Sequence, residues 1–169
     1  NDQWYKNKFE AMFSNYYNIM VSKSVQIGDI DINLKTDTIR QKIRDVYLRD
    51  STVTVVLIGS ETWKRKHVDW EIGASIRHTQ FNPRMGLLGI LLPSYNTYYG
   101  IQYGKFNHCS IPPRLSDNIK KGYANIYDWN DNPQTVQSWI HTAFENRNKI
   151  IPDNSYPSFV NNRTIHKWC

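Results

Sequence analysis

Length, composition and charge place this sequence among compact domains. Its 169 residues are the length of one domain, and aromatic residues make up 14% of them, which excludes a disordered chain. The longest apolar run, near Val53–Ile58, is too short to cross a bilayer, and no basic-then-apolar signal segment opens the chain. Two cysteines, Cys109 and Cys169, do not make a disulfide framework or a zinc motif. We therefore expect a soluble, cytoplasmic domain without a membrane partner. The net charge of +6 favours an anionic partner such as a nucleotide or a nucleic acid.

The first part of the chain predicts two helices and one short strand. Asp2 is the expected N-cap of the first helix, in which apolar residues recur every three or four positions. These residues are Tyr5, Phe9, Met12, Phe13, Tyr16 and Met20. A short strand near Ser24–Gly28 and an acidic loop that contains Asp31 follow. The second helix starts with the capping-box pair Thr38 and Gln41. Its apolar face comprises Ile39, Ile43, Val46 and Tyr47.

Three apolar runs predict strands, and helical patterns separate them. Thr52–Ile58 is β-branched and almost continuously apolar, which is typical of a strand buried on both faces of a parallel sheet. Gly86–Leu92 is a second strand that stops at Pro93, and Tyr123–Tyr127 is a third. The helix between the first two strands carries its apolar face on Val68, Ile72, Ser75, Ile76 and Thr79.

The second half of the chain completes the alternation. Residues 93–115 are rich in Tyr, Gly, Asn and Pro, which predicts a long irregular connection of the kind that often carries function. Pro133 suits the first turn of a last helix, and the tail from Pro152 shows no clear period. Alternating helices and strands predict an α/β fold with a parallel sheet.

A basic turn follows the clearest strand. In open parallel sheets, ligands bind at the carboxyl ends of the strands. Here the strand ends at Gly59, and three consecutive cations, Lys64-Arg65-Lys66, stand near the start of the next helix. Because a helix N-terminus favours anions, cations at this place are compatible with phosphate binding. A solvated basic turn explains them equally well.

Glu71 is the residue that helical geometry singles out. At 100° per residue it lies about 60° from Val68, on the border of the buried face, where a carboxylate is half desolvated and points into a cleft. Trp63 and Trp70 are candidates for an aromatic wall beside it. On the residues alone, a simple pairing of Glu71 with His67 at i,i+4 is the better explanation. A metal site on these two side chains would need a third ligand, and none is evident.

Several stretches taken together resemble the TIR-like family of the Thoeris anti-phage defence protein ThsB. They are Thr38–Arg44, Arg49–Gly59, Thr62–Ile72 and Asn82–Pro93. The resemblance runs through residues 1–150 and is strongest over 36–93. It implies a flavodoxin-like TIR fold over residues 1–150, with helices on both faces of the sheet. For residues 151–169, where no motif of the family is found, we expect a C-terminal tail packed on the domain or extending from it. It also implies a first strand that precedes Asn1.

The same resemblance implies an enzyme that cleaves NAD. In TIR enzymes a glutamate on the helix after the third strand supports cleavage of the nicotinamide–ribose bond, and the Trp-Glu-Ile motif puts that glutamate at Glu71. Trp63, Lys64, Arg65 and Asp31 are the candidates for contact with the substrate. NAD is expected as the substrate, without a metal or another cofactor. The expected product is an ADP-ribose-derived signal nucleotide, cyclic or conjugated, that activates an effector protein during phage infection.

Two other classes of function stay open. Many TIR domains work by self-association, and the aromatic-rich loop at 95–106 is a candidate surface for a non-catalytic interaction module. Binding of nucleic acid rests on net charge alone, because no recognised motif for it appears.

Overall fold

The structure is a computed structural model that describes residues 2–17, 34–43 and 51–169. Within this part of the chain, the helices are α1 (Asp2–Tyr17), α2 (Thr36–Lys42), α3 (Lys66–Ser75), α4 (Pro93–Tyr99), α5 (Pro113–Lys120) and α6 (Pro133–Lys149). The strands are β1 (Val53–Ile58), β2 (Gly86–Leu91) and β3 (Ala124–Asp128). The predicted strand at Ser24–Gly28 and the predicted contributions of Met20, Asp31, Val46 and Tyr47 lie outside the described residues.

The three strands form a parallel sheet in the order β1-β2-β3 within the described ranges. Val55 lies opposite Leu88, and Leu88 lies opposite Asn125. Every residue of β2 is buried, as expected for the middle of these three strands. Helices α3 and α5, which belong to the crossover connections between these parallel strands, lie on one face, and α1 and α6 cover the other. The predicted α/β class with a parallel sheet is therefore confirmed.

Alternation along the strands sends side chains into two apolar cores. The core between the sheet and helices α3 and α5 contains Val56, Ile58, Ile72, Ile76, Leu87, Leu91 and Leu115. The core on the other face, under helices α1 and α6, contains Phe9, Phe13, Leu88, Ile90, Val136 and Ala143. Helix α2 packs on α3 through a third cluster that includes Ile39, Ile43 and Trp70.

The sheet and α6 approach closely at Gly86. A Cβ on this residue would collide with the backbone carbonyl of Ala143 in α6. Glycine in a strand commonly marks such a close approach of another backbone. Gly86 thus sets the position of α6 against the start of β2.

β1 departs from the burial expected for it. Val56 and Ile58 are buried on the face toward α3, but Val53, Val55 and Leu57 are only half-buried on the face toward α1 and α6. An apolar cavity of about 540 Å³ lies on that face at the start of the strand, lined in part by Phe13, Val53 and Ile140. The expectation of full burial on both faces of Thr52–Ile58 was wrong for this reason.

The prediction that residues 93–115 form an irregular connection was wrong at both ends of this range, whereas residues 100–112 are irregular except for a short 3-10 turn at His108–Ser110. Pro93 ends the strand pattern, but it also occupies the first position of α4, where its missing N–H costs nothing. Pro113 begins α5 in the same way. Gly100, with a φ of 62°, ends α4 in the left-handed conformation. Both helices are short and polar, so their periods are too brief to stand out in the sequence.

The tail after α6 contains neither helix nor strand, which matches its lack of period. It is nevertheless held against the domain. Phe159 is buried, and its backbone carbonyl accepts a hydrogen bond from Trp70 Nε1 at 2.8 Å. At its end, Cys169 forms a disulfide with Cys109, a pairing that the sequence did not predict.

Among the described residues, every helix is too short or too polar to cross a membrane.

Candidate active site

The turn after β1 is closed by its own side chains. The N–H of Gly59 donates to Thr62 Oγ1 at 2.9 Å, and the N–H of Thr62 donates to the Gly59 carbonyl at 3.4 Å. Asp2 at the start of α1 fills the space that a Cβ on Gly59 would need. Its Oδ1 accepts a hydrogen bond from Ser94 Oγ at 2.7 Å. Asp2 is thus the first residue of α1 and ties the helix to the carboxyl ends of β1 and β2, rather than acting as a simple N-cap.

Trp63 is a buried support of this turn. Its indole Nε1 donates to the Tyr99 hydroxyl at 2.9 Å, and that hydroxyl donates to the carbonyl of Ser60 at 2.8 Å. Burial raises the pKa of Tyr99. Trp63 was expected as an aromatic wall beside Glu71. In the structure it is only 1% exposed, and it links α4 to the turn.

The basic turn is held from two sides. Lys64 Nζ lies 2.8 Å from Glu61 Oε2, and the hydrogen bond to Glu61 raises the pKa of the lysine. The Lys64 carbonyl accepts the N–H of Arg163 at 2.8 Å. The N–H of Lys66 donates to Asn162 Oδ1 at 2.9 Å. Arg65 is exposed and stands directly before α3.

Glu71 lies between two buried faces of α3. Trp70 and Ala74 pack toward α2, whereas Ile72 and Ser75 point into the interior on the side of the sheet. At 100° per residue, Glu71 falls between these faces. The structure leaves it half-buried, in agreement with the border position expected from helical spacing.

The environment of His67 disfavours a positive charge on its imidazole ring. Its ring lies 5.3 Å from that of Trp70, and its buried Nδ1 has no hydrogen-bond partner among the described residues. Burial lowers the pKa of His67, and the charge of Lys66 lowers it further. Both effects on this pKa favour the neutral imidazole, which weakens the alternative of a charged pair with Glu71. In the described part of the chain, no three His, Cys, Asp or Glu side chains come together as metal ligands would.

A buried ion pair anchors α3, and the sequence analysis missed it. Arg114 of α5 is fully buried, and its Nε lies 3.1 Å from Asp69 Oδ1. Arg114 also donates to the carbonyls of Asn154 and Tyr156, at 3.0 and 2.7 Å. Asp69 Oδ2 accepts the N–H of Phe159 at 3.0 Å. One sequence signal was available: at 100° per residue, Asp69 falls about 20° from Ile76, at the edge of the apolar face of this helix, where a buried carboxylate needs a partner.

A small cavity of about 220 Å³ opens at the carboxyl ends of β2 and β3. Leu91, Tyr103, Asp128 and Trp129 are among its lining residues. Asp128 is mostly buried, and its Oδ2 accepts the N–H of Gly104 at 2.7 Å. The sequence analysis did not single out this aspartate.

The structure thus brings Trp63, Lys64 and Arg65 into one turn that leads directly into the helix of Glu71. Asp31, the remaining candidate for substrate contact, lies outside the described residues.

Comparison with known families identifies the chain. The model of the family described as Thoeris protein ThsB, TIR-like domain, matches residues 1–97. The chain belongs to this family. The matched range contains β1, α3 with Glu71, and β2. The parallel sheet of the chain, with helices on both faces, is a flavodoxin-like TIR-type fold. The predicted resemblance is confirmed over that range. Comparison with curated proteins and with solved structures gave no match.

Proposed function

We propose that this ThsB-family chain cleaves the nicotinamide–ribose bond of NAD and produces an ADP-ribose-derived signal nucleotide in anti-phage defence. The observation that carries the proposal is the family match over residues 1–97, which includes the Trp-Glu-Ile motif at Glu71. Half-burial of Glu71 on α3, one helix after the carboxyl end of β1, supports the same conclusion.

A single carboxylate is enough for the chemistry of this step. Departure of nicotinamide leaves a ribosyl cation, so the transition state resembles that of glycoside cleavage. A carboxylate beside the ribose stabilises the developing positive charge and holds the hydroxyls. Nicotinamide leaves as a neutral molecule from a cationic ring, so no general acid is needed. Half-burial of Glu71 strengthens its interaction with the cation, because the local dielectric constant is lower than that of water.

The basic turn is the proposed contact for the phosphates of NAD. Lys64 and Arg65 stand before the helix of Glu71, and the chain carries a net charge of +6. Lys64 stays charged, because its hydrogen bond to Glu61 raises the pKa of the ammonium group. Arg65 is exposed to solvent and so accessible to a phosphate. Exclusion of water from the closed site would favour transfer of ADP-ribose to an internal or added nucleophile over hydrolysis.

The proposal is tested by the consumption of NAD by the purified chain. Glu71→Gln keeps the shape of the side chain and removes its charge, so we expect turnover to fall by roughly 100-fold or more. Glu145→Gln on α6 is the matched control, because the partner of Glu145 among the described residues is exposed Lys149, in an i,i+4 salt bridge on the other face of the sheet. Its turnover should equal that of the wild type. Equal turnover by wild type and Glu71→Gln, with both folded by circular dichroism, would remove Glu71 from the mechanism.

A non-catalytic interaction module is the alternative, and two exposed aromatic side chains favour it as the second candidate. Tyr98 and Tyr103 in the loop at 95–106 are 60% and 74% exposed. Self-association without turnover of NAD, lost in a Tyr98→Ser and Tyr103→Ser double variant by analytical ultracentrifugation, would support this alternative. A monomer at all concentrations would exclude it.

A further inference from the structure

The last ten residues, 160–169, cross the start of α3, and we call this segment the latch. The Asn162 side chain accepts the N–H of Lys66 at 2.9 Å, and the N–H of Arg163 donates to the Lys64 carbonyl at 2.8 Å. Trp168 closes the other end, where its indole Nε1 donates to the Ile111 carbonyl at 2.8 Å. The latch thus joins the basic turn to the loop before α5.

We propose that reduction of the Cys109–Cys169 disulfide releases the latch from the basic turn and so raises the activity of the site. The effect on activity rests on the proposed function, because that function assigns Lys64 and Arg65 to the substrate. The release itself does not depend on it.

The two halves of the tail are held with very different strength. Asn154 and Tyr156 accept hydrogen bonds from fully buried Arg114, and Phe159 is 5% exposed. In the latch, by contrast, most residues are exposed, Arg163 and Trp168 being half-buried. The covalent link at Cys169 is therefore the main restraint on the latch.

The closed latch holds the backbone of the turn that carries the side chains assigned to the substrate, Lys64 and Arg65. The Lys66 N–H and the Lys64 carbonyl are both engaged by it, and its backbone lies against the turn that contains Arg65. The Arg163 side chain packs on the tail itself, since its guanidinium lies 4.1 Å from the centroid of the Phe159 ring. Release of the latch therefore frees the backbone of the turn, and with it the side chains of Lys64 and Arg65, to adjust to a bound phosphate.

The redox step uses a dithiol as the reductant. Cys169 is exposed, so a thiolate of the dithiol attacks its Sγ, and the sulfur of Cys109 leaves and takes up a proton. The second thiolate of the dithiol then displaces Cys169 from the mixed disulfide. Two electrons and two protons pass to the protein, which gains two thiols, and the dithiol becomes a cyclic disulfide. In the closed form the Cα atoms lie 5.3 Å apart, within the range that a disulfide spans.

Amide hydrogen exchange on the full chain, with and without dithiothreitol, tests the release. The reporters are the N–H groups of Lys66, Arg163 and Trp168. Lys66 donates to Asn162 of the latch, and the two latch residues donate to the carbonyls of Lys64 and Cys109. Reduction should speed their exchange by ~10-fold or more and leave β2 unchanged. The Cys109→Ser, Cys169→Ser double variant should exchange fast in both conditions.

Three results would overturn the release. The first is unchanged exchange of the three reporters after mass spectrometry has shown the gain of two hydrogens. The second is an equal rise in the exchange rate across β2. The third is the presence of two free thiols in the air-oxidised chain. Turnover of NAD is measured on the same samples, where several-fold faster turnover after reduction is expected. Equal turnover in both states, despite faster exchange of the reporters, overturns the effect on activity. Faster exchange without any turnover leaves the release standing and counts against the proposed function instead.

Discussion

Replacement of Asp69 by asparagine should strongly destabilise the fold, because it leaves a buried arginine without its counter-charge. The side chains of Arg114 and Asp69 are 0% and 2% exposed, and Nε lies 3.1 Å from Oδ1. The other hydrogen bonds of Arg114 go to neutral groups of Asn154 and Tyr156. Asparagine has the same shape as aspartate but cannot neutralise the guanidinium.

The expected magnitude follows from the burial of both partners. Breaking a buried ion pair by removing one member costs roughly 3–5 kcal/mol, because the remaining charge stays desolvated. For a chain of 169 residues, a loss of 1 kcal/mol lowers Tm by about 2–4 °C. The variant should therefore melt roughly 6–20 °C below the wild type. A loss of this size is a large share of the ~5–15 kcal/mol that holds a domain folded.

Thermal unfolding followed by circular dichroism measures this loss. Glu145→Gln is the control, because the pair of Glu145 with Lys149 is exposed and should contribute less than about 1 kcal/mol. Adding Arg114→Met to Asp69→Asn removes the stranded charge and should restore much of the stability. If Asp69→Asn melts no lower than the control, or if the second change costs as much as the first, the assignment of Asp69 and Arg114 as the anchor of α3 is wrong.

Two further predictions concern the sheet. Val55→Asp should unfold the domain, because it puts an unpaired charge on a half-buried strand position that packs toward α1 and α6, at a cost of several kcal/mol. A soluble variant with an unchanged urea midpoint would contradict this. Burial raises the pKa of Tyr123, whose hydroxyl donates to the Met85 carbonyl, to about 12. Since the unfolded phenol titrates near pH ~10, its contribution to stability is complete below that pH and is lost as the pH rises toward ~12. Urea midpoints should therefore fall less steeply above pH ~10 in Tyr123→Phe than in the wild type, and identical slopes would refute the assignment.

The sequence predicted the elements whose patterns are long or strongly apolar. Helices α1 and α6 follow from the spacing of their apolar residues, and β1 and β2 follow from their nearly continuous apolar runs. Helices α4 and α5 were missed, because seven and eight residues give about two turns each and their prolines and polar residues also suit loops.

The candidate site was predictable only in part. Glu71 could be selected from its angular position on α3, since that depends on local spacing alone. The burial of Trp63 against Tyr99 could not, because their hydrogen bond joins residues 36 positions apart. The same holds for Arg114 with Asp69 and for the disulfide of Cys109 with Cys169, at separations of 45 and 60. These contacts arise only when the chain has folded, and they determine how α3 and the basic turn are held.

The central claim is that Glu71 cleaves NAD to a signal nucleotide, and mass detection of the product tests it most directly. NAD is incubated with the chain, wild type beside Glu71→Gln, in buffer and in lysate of phage-infected cells. The account predicts release of nicotinamide together with an ADP-ribose-derived product, both absent from the variant. Release of nicotinamide that persists in folded Glu71→Gln, or no turnover by the folded wild type in either setting, would contradict it.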